Sequence, residues 1–587
     1  MTARTDPAAR RRSSRWFAPR DVFGFIHRAA LRAEGLSNAA ISDRPVIGVC
    51  TSWSELVNCN LHLQGLAQAV KRGVWQAGGL PLEFPTMSLG ENLMKPTTML
   101  YRNLMSMDVE ETIRSNPLDA VVLLGGCDKT VPAQLMGAAS VDVPAIALTG
   151  GPMQPACFRG RRLGAGTDLW RYTDDLRAGR MSPDEYAELE AAATPSIGHC
   201  SEMGTASTMA SLVEALGFSL PGSAAIPAVD ARRAALAEAT GRRAVQLAEE
   251  GLRPSDILTP QAFDNAITVL VAIGGSTNAI LHLIAIAGRV GHELPLNRFD
   301  EVARQTPLLV NVSPAGEYLF EDVFRAGGIP ALLRELEPLL SLDAPTVTGQ
   351  TLGANVAEAV VHDQDVIRPL ANPIKPPGGL AVLRGTLSPG GAVIKTSAAS
   401  SELLRHRGCA VVFEDIDDLI ARIDDPALPV DASSVLVLRN AGPKGAPGMP
   451  EWGMLPIPTK LLEQGVTDMV RISDARMSGT GFGTVVLHVT PESAVGGPLH
   501  VVENGDAIEL DVDARRLDLC VPADEIKRRL ARKPLPAPRY RRGYGSIYLE
   551  HVLQADAGVD FDVLRRAPGE VAETDPYGVL EGWITGW

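Results

Sequence analysis

The sequence predicts an α/β fold with an N-terminal domain, in which helices flank a largely parallel sheet, and a C-terminal β-rich, barrel-like domain. Before residue 375, short apolar runs alternate with segments of helical periodicity, which is typical of βαβ units. After residue 379, short strand-like runs are separated by Gly, Pro and Asn-Gly turns. Residues 372–379 are dense in Pro and Gly and predict a boundary. We therefore expect domains at residues 1–375 and 376–587.

The first elements follow from the spacing of apolar residues. Residues 120–124 are too few for a typical helix and are bounded by Gly125 and Gly126, so they predict a strand buried on both faces. Thr130 is then expected to cap a helix that has Pro132 in its first turn. Further strands are expected at 45–51, 80–84 and 145–149, and helices at 21–34, 61–77, 98–114, 183–192 and 231–250.

One later stretch resembles a membrane span. Residues 266–288 carry no charged side chain and are nearly long enough to cross a bilayer. The polar stretch 274–278 lies in the middle of this run, which favours two buried segments joined by a glycine turn. That turn lacks the lysine and the spacing of a phosphate-binding P-loop, so we expect it to pack near the functional site instead.

The C-terminal domain is predicted from short strands at regular intervals. An Asn-Gly pair at residues 504–505 is typical of a two-residue hairpin turn. The strands are expected at 380–383, 392–395, 410–413, 435–438, 469–472, 484–489 and 507–512.

Composition limits the classes of function. The chain has 587 residues, of which 45% are hydrophobic and 21% charged, as in ordinary soluble globular proteins. Its net charge of −14 argues against nucleic-acid or anionic-membrane partners. Seven widely spaced cysteines indicate reduced thiols and a cytoplasmic location. Residues 1–20 contain six arginines and one acid, from which we expect a disordered basic arm.

Three cysteines share a local pattern. Cys59, Cys127 and Cys200 each lie in a connection that leads into a helix, a setting expected to be exposed and to lower a thiol's pKa. Cys127 also follows the carboxyl end of a predicted parallel strand, where open α/β sheets bind ligands. Three thiolates without a paired C-x-x-C argue against a zinc ribbon and suit an iron–sulfur cluster with one open iron position. The other four cysteines are expected to be structural: Cys50, Cys157, Cys409 and Cys520.

Six motifs occur in a fixed order along the chain: VNCNLHL, GGCDKTVPAQLMGAAS, GHCSEMGTASTM, GGSTNAILHL, GPKGAPGMPE and SDARMSG. Together they resemble the dihydroxy-acid and phosphogluconate dehydratase family, over roughly residues 21–517. Residues 85–103 and the phrase RISDARMSGT resemble its sugar-acid branch, typified by arabinonate and xylonate dehydratases.

The resemblance implies two cofactors and a set of site residues. A 2Fe–2S cluster would be held by three cysteines, although three cysteines can also hold a 4Fe–4S cluster. A Mg²⁺ ion would be held by carboxylates and a carbamylated lysine, whose carbamate is an anionic oxygen ligand. The implied residues are Cys59, Cys127 and Cys200 for the cluster, Glu91, Asp128, Lys129 and Glu451 for the metal, Ser478 as catalytic base and Thr480 as a further substrate contact. Asn58 and Trp452 depart from the branch's pattern beside two of these ligands and leave the substrate open.

The resemblance also implies an activity, the removal of water from a sugar acid (an aldonate) to give a 2-keto-3-deoxy acid. The alternative is a dihydroxy-acid dehydratase of branched-chain amino-acid biosynthesis. A remote alternative is a non-catalytic iron–sulfur redox protein. The expected partners are a small-molecule aldonate and further copies of the chain, in a homodimer or homotetramer, with neither nucleic acid nor membrane.

Overall fold

The structure, a computed structural model, describes residues 11–41 and 44–572. A four-stranded, fully parallel sheet forms the first layer, in the order β2-β1-β3-β4. Its strands are β1 Val46–Thr51, β2 Leu80–Pro85, β3 Ala120–Gly125 and β4 Ala145–Thr149. Every residue of β1, β3 and β4 is buried, as expected for a parallel sheet covered on both faces. The predicted parallel sheet is therefore confirmed.

Helices surround this sheet and extend far beyond it. The helices before residue 360 are α1 Ser14–Phe17, α2 Val22–Ala33, α3 Asn38–Ile41, α4 Leu63–Gln76, α5 Met99–Ser115, α6 Thr130–Val141, α7 Thr167–Arg177, α8 Pro183–Ala192, α9 Thr205–Ala215, α10 Ala231–Glu250, α11 Pro254–Ile257, α12 Pro260–Ala272, α13 Asn278–Arg289, α14 Leu296–Ala303, α15 Phe320–Arg325, α16 Gly328–Glu335 and α17 Leu352–Val356. A small antiparallel pair also forms, β5 Ala156–Phe158 with β6 Arg161–Leu163.

The second sheet has eight strands in the order β14-β13-β9-β10-β11-β12-β8-β7. Its strands are β7 Ala381–Leu383, β8 Gly391–Ile394, β9 Arg405–Phe413, β10 Val435–Leu438, β11 Arg471–Ser473, β12 Val485–Thr490, β13 Ala507–Asp511 and β14 Arg516–Leu519. A bridge between Arg384 and Arg516 brings the two outer strands together, so the sheet is a nearly closed barrel, as predicted. The remaining helices are α18 Ile416–Arg422, α19 Thr459–Leu462, α20 Ala523–Arg532 and α21 Gly543–His551.

Three local expectations are wrong. Thr130 does not cap α6 but is its first residue, and its hydroxyl donates to the Leu89 carbonyl at 3.2 Å. The turn at Asn504 joins no hairpin, because β13 pairs with β9 and β14 and not with β12. The second half of the basic arm is ordered, since the Ser13 hydroxyl donates to Asp119 at 2.5 Å. Residues 1–10 of the arm lie outside the described residues.

The uncharged run divides as predicted into α12 and α13, joined by a turn at residues 273–277. No helix in the described ranges is both long and apolar enough to cross a bilayer.

Part of the second sheet joins the apolar core of the first, and the rest packs in two core clusters of its own. The cluster that includes Val121 of β3 also includes Val485 and Leu487 of β12. We call the boundary between the regions before and after residue 375 the seam. Three long-range hydrogen bonds cross the seam at the candidate active site. The division at residue 375 into two domains stays a prediction.

Candidate active site

Three loops bring the cysteines together. Cys59 lies in a short 3-10 turn before α4, Cys127 follows β3, and Cys200 precedes α9. Cys59 and Cys127 belong to one small buried cluster. A hydrogen bond with Cys127, and then burial, raise the pKa of the Cys59 thiol, and the field of Cys200 reaches it as well. Cys59 and Cys127 therefore lie together, and Cys200 lies near enough for its charge to act on Cys59.

The expected setting of these thiols is partly wrong. Cys59 and Cys127 are only 7% and 4% exposed, where exposure was expected. The pKa of Cys200 is raised, first by burial and then by nearby carboxylates, and not lowered by a helix N-terminus. Such buried thiols become thiolates when a metal supplies positive charge. Of the cysteines expected to be structural, Cys50 is buried, whereas Cys157, Cys409 and Cys520 are exposed.

Lys129 lies at the centre of the predicted metal site. Its side chain is completely buried, and Nζ donates to Asp128 Oδ2 at 3.1 Å and to Glu451 Oε1 at 3.3 Å. Burial would lower the pKa of Lys129, but Asp128 and Glu451 hold it above its ordinary value, and Glu91 acts in the same direction. Lys129 thus contacts Asp128 and Glu451 directly, and Glu91 lies near enough for its charge to act on the lysine.

Glu91 is held by two threonines at the start of α5. Its Oε1 accepts a hydrogen bond from the Thr97 hydroxyl at 2.7 Å. Its Oε2 accepts one from the Thr98 amide at 3.2 Å and another from the Thr98 hydroxyl. These donors fix the orientation of a carboxylate that, by itself, would be an ordinary loop residue.

Arg476 links the two glutamates, and sequence analysis did not single it out. This fully buried side chain donates to Glu451 Oε1 at 2.8 Å, to the Thr97 hydroxyl at 3.1 Å and to the Met449 carbonyl at 2.7 Å. Burial would raise the pKa of Glu451, but Lys129 and Arg476 hold it below its ordinary value. Glu451 is therefore ionised and oriented by a cation from each side of the seam.

Asn278, the first residue of α13, connects this cluster to the loop of the predicted base. Its Nδ2 donates to Glu451 Oε1 at 2.9 Å, to the Met477 carbonyl at 3.2 Å and to the Thr205 hydroxyl at 3.0 Å. The glycine turn that precedes Asn278 does pack near the site, as its sequence indicated. The particular role of Asn278 was missed, since an asparagine beside a turn is common.

Ser478 and Thr480 lie together on the loop after β11. Their hydroxyl oxygens are 2.9 Å apart and share a hydrogen bond. The Thr480 carbonyl accepts a hydrogen bond from the Thr167 hydroxyl at 2.9 Å, across the seam. Gly166 permits this close approach, because a Cβ there would lie 2.5 Å from the Thr480 hydroxyl oxygen. The loop that carries Ser478 and Thr480 is therefore held in place by the start of α7.

The donor atoms suit both cofactors implied by the sequence. Three thiols from separate loops are ligands that iron prefers, and clustered carboxylates are ligands that Mg²⁺ prefers. Within residues 11–41 and 44–572, no three His, Cys, Asp or Glu side chains are already arranged to hold a metal ion. The Lys129 ammonium and the Arg476 guanidinium provide positive charge beside Glu451.

Comparison with known proteins identifies the family. Residues 44–355 match the family model described as dihydroxy-acid/6-phosphogluconate dehydratase N-terminal, and residues 365–559 match its C-terminal counterpart. The chain belongs to the dihydroxy-acid/6-phosphogluconate dehydratase family. The resemblance carried by the six motifs is thereby confirmed.

Relatives within this dehydratase family cover nearly the whole chain. The L-arabonate dehydratase of Azospirillum brasilense is 53% identical, over 94% of this chain and 97% of its own length. The 6-deoxy-6-sulfo-D-gluconate dehydratase of Pseudomonas putida is 50% identical, over 96% and 98%. The dihydroxy-acid dehydratase of Ignicoccus hospitalis is 43% identical, over 91% and 97%. Of these three, the two named for sugar acids are the more similar to this chain.

Proposed function

We propose that the protein is a sugar-acid dehydratase, which removes water from an aldonate to give a 2-keto-3-deoxy acid. One observation carries the proposal: Asn278 contacts both Glu451 of the carboxylate–lysine cluster and the carbonyl of Met477, which directly precedes Ser478. The substrate class is supported by the identities of 50–53% to relatives named for sugar acids.

Both cofactors belong to this proposal. Cys59, Cys127 and Cys200 would hold the 2Fe–2S cluster, and Glu91, Asp128, Glu451 and a carbamylated Lys129 would hold Mg²⁺. When bound, these groups supply Lewis acidity toward the departing hydroxyl and the carboxylate end of the substrate. Addition of CO₂ to the neutral Lys129 amine, with loss of a proton, would replace a buried cation by an oxygen ligand.

The chain's own residues account for the proton transfer. Ser478 Oγ, as an alkoxide, takes the proton from C2 of the aldonate, and Thr480, 2.9 Å away, orients and stabilises that alkoxide by donating a hydrogen bond to it. A serine hydroxyl is too weak a base in water, so the positive charge of the site must stabilise the alkoxide. The C3 hydroxyl leaves as water with the proton that Ser478 took from C2, which restores the alkoxide, and the resulting enol tautomerises to the keto acid.

Ser478→Ala tests the assignment of the base. We expect kcat to fall by at least about 10³-fold while the visible absorption of the cluster is kept, because the serine holds no iron. Turnover would be measured anaerobically with Mg²⁺, on C5 and C6 aldonates, with the keto-acid product trapped by semicarbazide. Ser401→Ala, at an exposed serine of the same region, is the matched control. Near-wild-type rates for Ser478→Ala would show that another group is the base.

The same assay tests the substrate class. Turnover of 2,3-dihydroxyisovalerate alone would replace our proposal by the branched-chain dihydroxy-acid enzyme. If no substrate is turned over and the cluster proves to have four protein ligands, the result would favour the non-catalytic redox protein. We also propose a cytoplasmic homodimer or homotetramer, which sedimentation of the purified protein would test.

A further inference from the structure

Trp170, on α7, also contacts the loop that carries the proposed base. Its indole Nε1 donates to the Thr480 hydroxyl oxygen at 3.4 Å. The same hydroxyl oxygen lies 2.9 Å from that of Ser478. The three side chains therefore form one hydrogen-bonded row, with Trp170 at one end and Ser478 at the other. Sequence analysis did not single out Trp170, whose side chain is 42% exposed.

The chemistry of the indole sets the direction of these hydrogen bonds. An indole N–H can only donate, whereas a hydroxyl donates one hydrogen bond and accepts others. Because Thr480 Oγ1 accepts from Trp170, its own proton is free to point at Ser478. The Thr480 backbone amide also donates to Ser478 Oγ, at 3.4 Å. Ser478 Oγ is thus the final acceptor of the row, which suits an oxygen that carries negative charge.

Contacts at the start of α7 hold Trp170 in this position. Glu202 Oε1 accepts hydrogen bonds from the backbone amides of Gly166 and Thr167. The Thr167 hydroxyl donates to the Thr480 carbonyl at 2.9 Å. One turn further along the helix, the Trp170 amide donates to the Gly166 carbonyl at 3.2 Å. The indole therefore approaches the Thr480 hydroxyl from a helix that is already fixed to the same loop.

We propose that Trp170 is a positioning residue for the base: its indole N–H orients the Thr480 hydroxyl, so that Thr480 donates to Ser478 Oγ and stabilises it as an alkoxide. Hydrogen bonds in a chain polarise one another, so a donor at the far end strengthens the bond at the near end. The C2 proton ends on Ser478, and Thr480 and Trp170 keep their own protons. The inference rests on the proposed function, but it holds for either candidate substrate, since an aldonate and 2,3-dihydroxyisovalerate both lose the proton from C2.

Trp170→Phe tests the role of the N–H, because it removes this donor and keeps an aromatic ring in place. Loss of one neutral hydrogen bond should lower kcat about 3- to 10-fold. The KM for the substrate, the Mg²⁺ requirement and the visible absorption of the cluster should not change. Since the alkoxide loses a supporting donor, the rise of kcat with pH should move to higher pH.

Trp75→Phe is the matched control, at a tryptophan of α4 that is 39% exposed, and it should behave like the wild type. A raised KM with an unchanged kcat in Trp170→Phe would show that the ring only shapes the entrance to the site, and would overturn the proposal.

A double-mutant cycle tests whether Trp170 acts through Thr480. Thr480→Val removes the hydroxyl and should itself lower kcat, because Ser478 loses a donor. Adding Trp170→Phe to Thr480→Val should cost no further activity. Adding it to Thr480→Ser, which keeps a hydroxyl, should cost as much as in the wild type. Equal losses from Trp170→Phe in the wild type and in Thr480→Val would contradict the proposed role.

Failure of this inference can be told apart from failure of the proposed function. If Trp170→Phe matches the wild type in kcat and in its pH profile while Ser478→Ala is inactive, the base assignment stands and the role of Trp170 is wrong. If Ser478→Ala keeps near-wild-type rates, or if the wild type turns over no acid, the proposed base or the proposed dehydratase is wrong, and the role of Trp170 with it.

Discussion

At the scale of the residue, substitution of Arg476 tests how the carboxylates of Glu451 and Glu91 are oriented. It makes three hydrogen bonds from three different nitrogens, to Glu451, Thr97 and Met449. A lysine ammonium is a compact donor that cannot reproduce this fork. Because neighbours that orient metal ligands are typically worth 10–100-fold in affinity, Arg476→Lys should raise the Mg²⁺ concentration for half-maximal activity by about that factor.

Titration of activity with Mg²⁺ measures this effect. Arg471→Lys is a matched control, since Arg471 is also buried but bonds to Leu455, Asp468 and Phe482 instead. An unchanged Mg²⁺ requirement in Arg476→Lys would show that Glu451 is positioned by Lys129 and Asn278 without the guanidinium.

The residues of the candidate site differ in how far sequence reveals them. Cys127, Asp128 and Lys129 could be predicted because three chemically reactive side chains follow one buried strand. Arg476 could not, because its partner Thr97 is 379 residues away and neither residue is unusual in its local segment. Sequence motifs reveal the groups that do chemistry, whereas the side chains that orient them depend on contacts formed only in the folded protein.

At the scale of the element, β12 carries a local distortion that predicts acid sensitivity. Its His488 has φ +58°, and the register with β8 shifts between Leu487 and Thr490. Neither ring nitrogen of His488 has a hydrogen-bond partner in the described residues, and burial, with Arg476, lowers its pKa from 6.5 to about 3. The unfolded chain therefore takes up a proton before the folded one as the pH falls.

His488→Asn removes this titration, and Asn tolerates a positive φ. From pH 6.5 to 5 the wild type should lose about 1.6 kcal/mol of unfolding free energy that the variant keeps. Denaturant unfolding at several pH values measures the difference. His406→Asn, on the partly exposed part of β9, controls for the substitution itself. Parallel pH profiles for wild type and His488→Asn would contradict a buried, neutral ring.

The predicted elements show which local signals are sufficient. Strands such as β3 and β10 could be predicted because short runs rich in β-branched residues, bounded by turn residues, are typical of buried strands. The prediction that Thr130 caps a helix was wrong, because the Thr130 hydroxyl donates its hydrogen bond to the carbonyl of Leu89, which is remote in sequence. Strand β14 was missed because its Arg-Leu-Asp-Leu sequence is too short and polar to stand out, and it forms only by pairing with β13.

At the scale of the whole molecule, the site exists only when both regions are packed together. Cys59, Cys127 and Lys129 come from the first sheet's loops, and Glu451 and Ser478 come from the second. The fold class could be predicted because the alternation of strand-like apolar runs with segments of helical periodicity extends over long stretches of the chain. The arrangement across the seam could not be predicted, because no sequence pattern specifies how the two sheets pack against each other.

Metal removal tests this cross-seam assembly. A Mg²⁺ ion held by Asp128 and Glu451 would join the two regions, and a ligand at 100 times its Kd stabilises the folded state by about 2.7 kcal/mol. EDTA should therefore abolish activity and lower the Tm of the wild type, and added Mg²⁺ should restore both. Glu451→Gln keeps the shape but loses the charge, so its Tm should no longer respond to Mg²⁺. The exposed Glu463→Gln should respond like the wild type. If EDTA leaves the wild-type Tm unchanged, or if Glu451→Gln still responds, Mg²⁺ is not held across the seam, and the proposed division of ligands between the two regions is wrong.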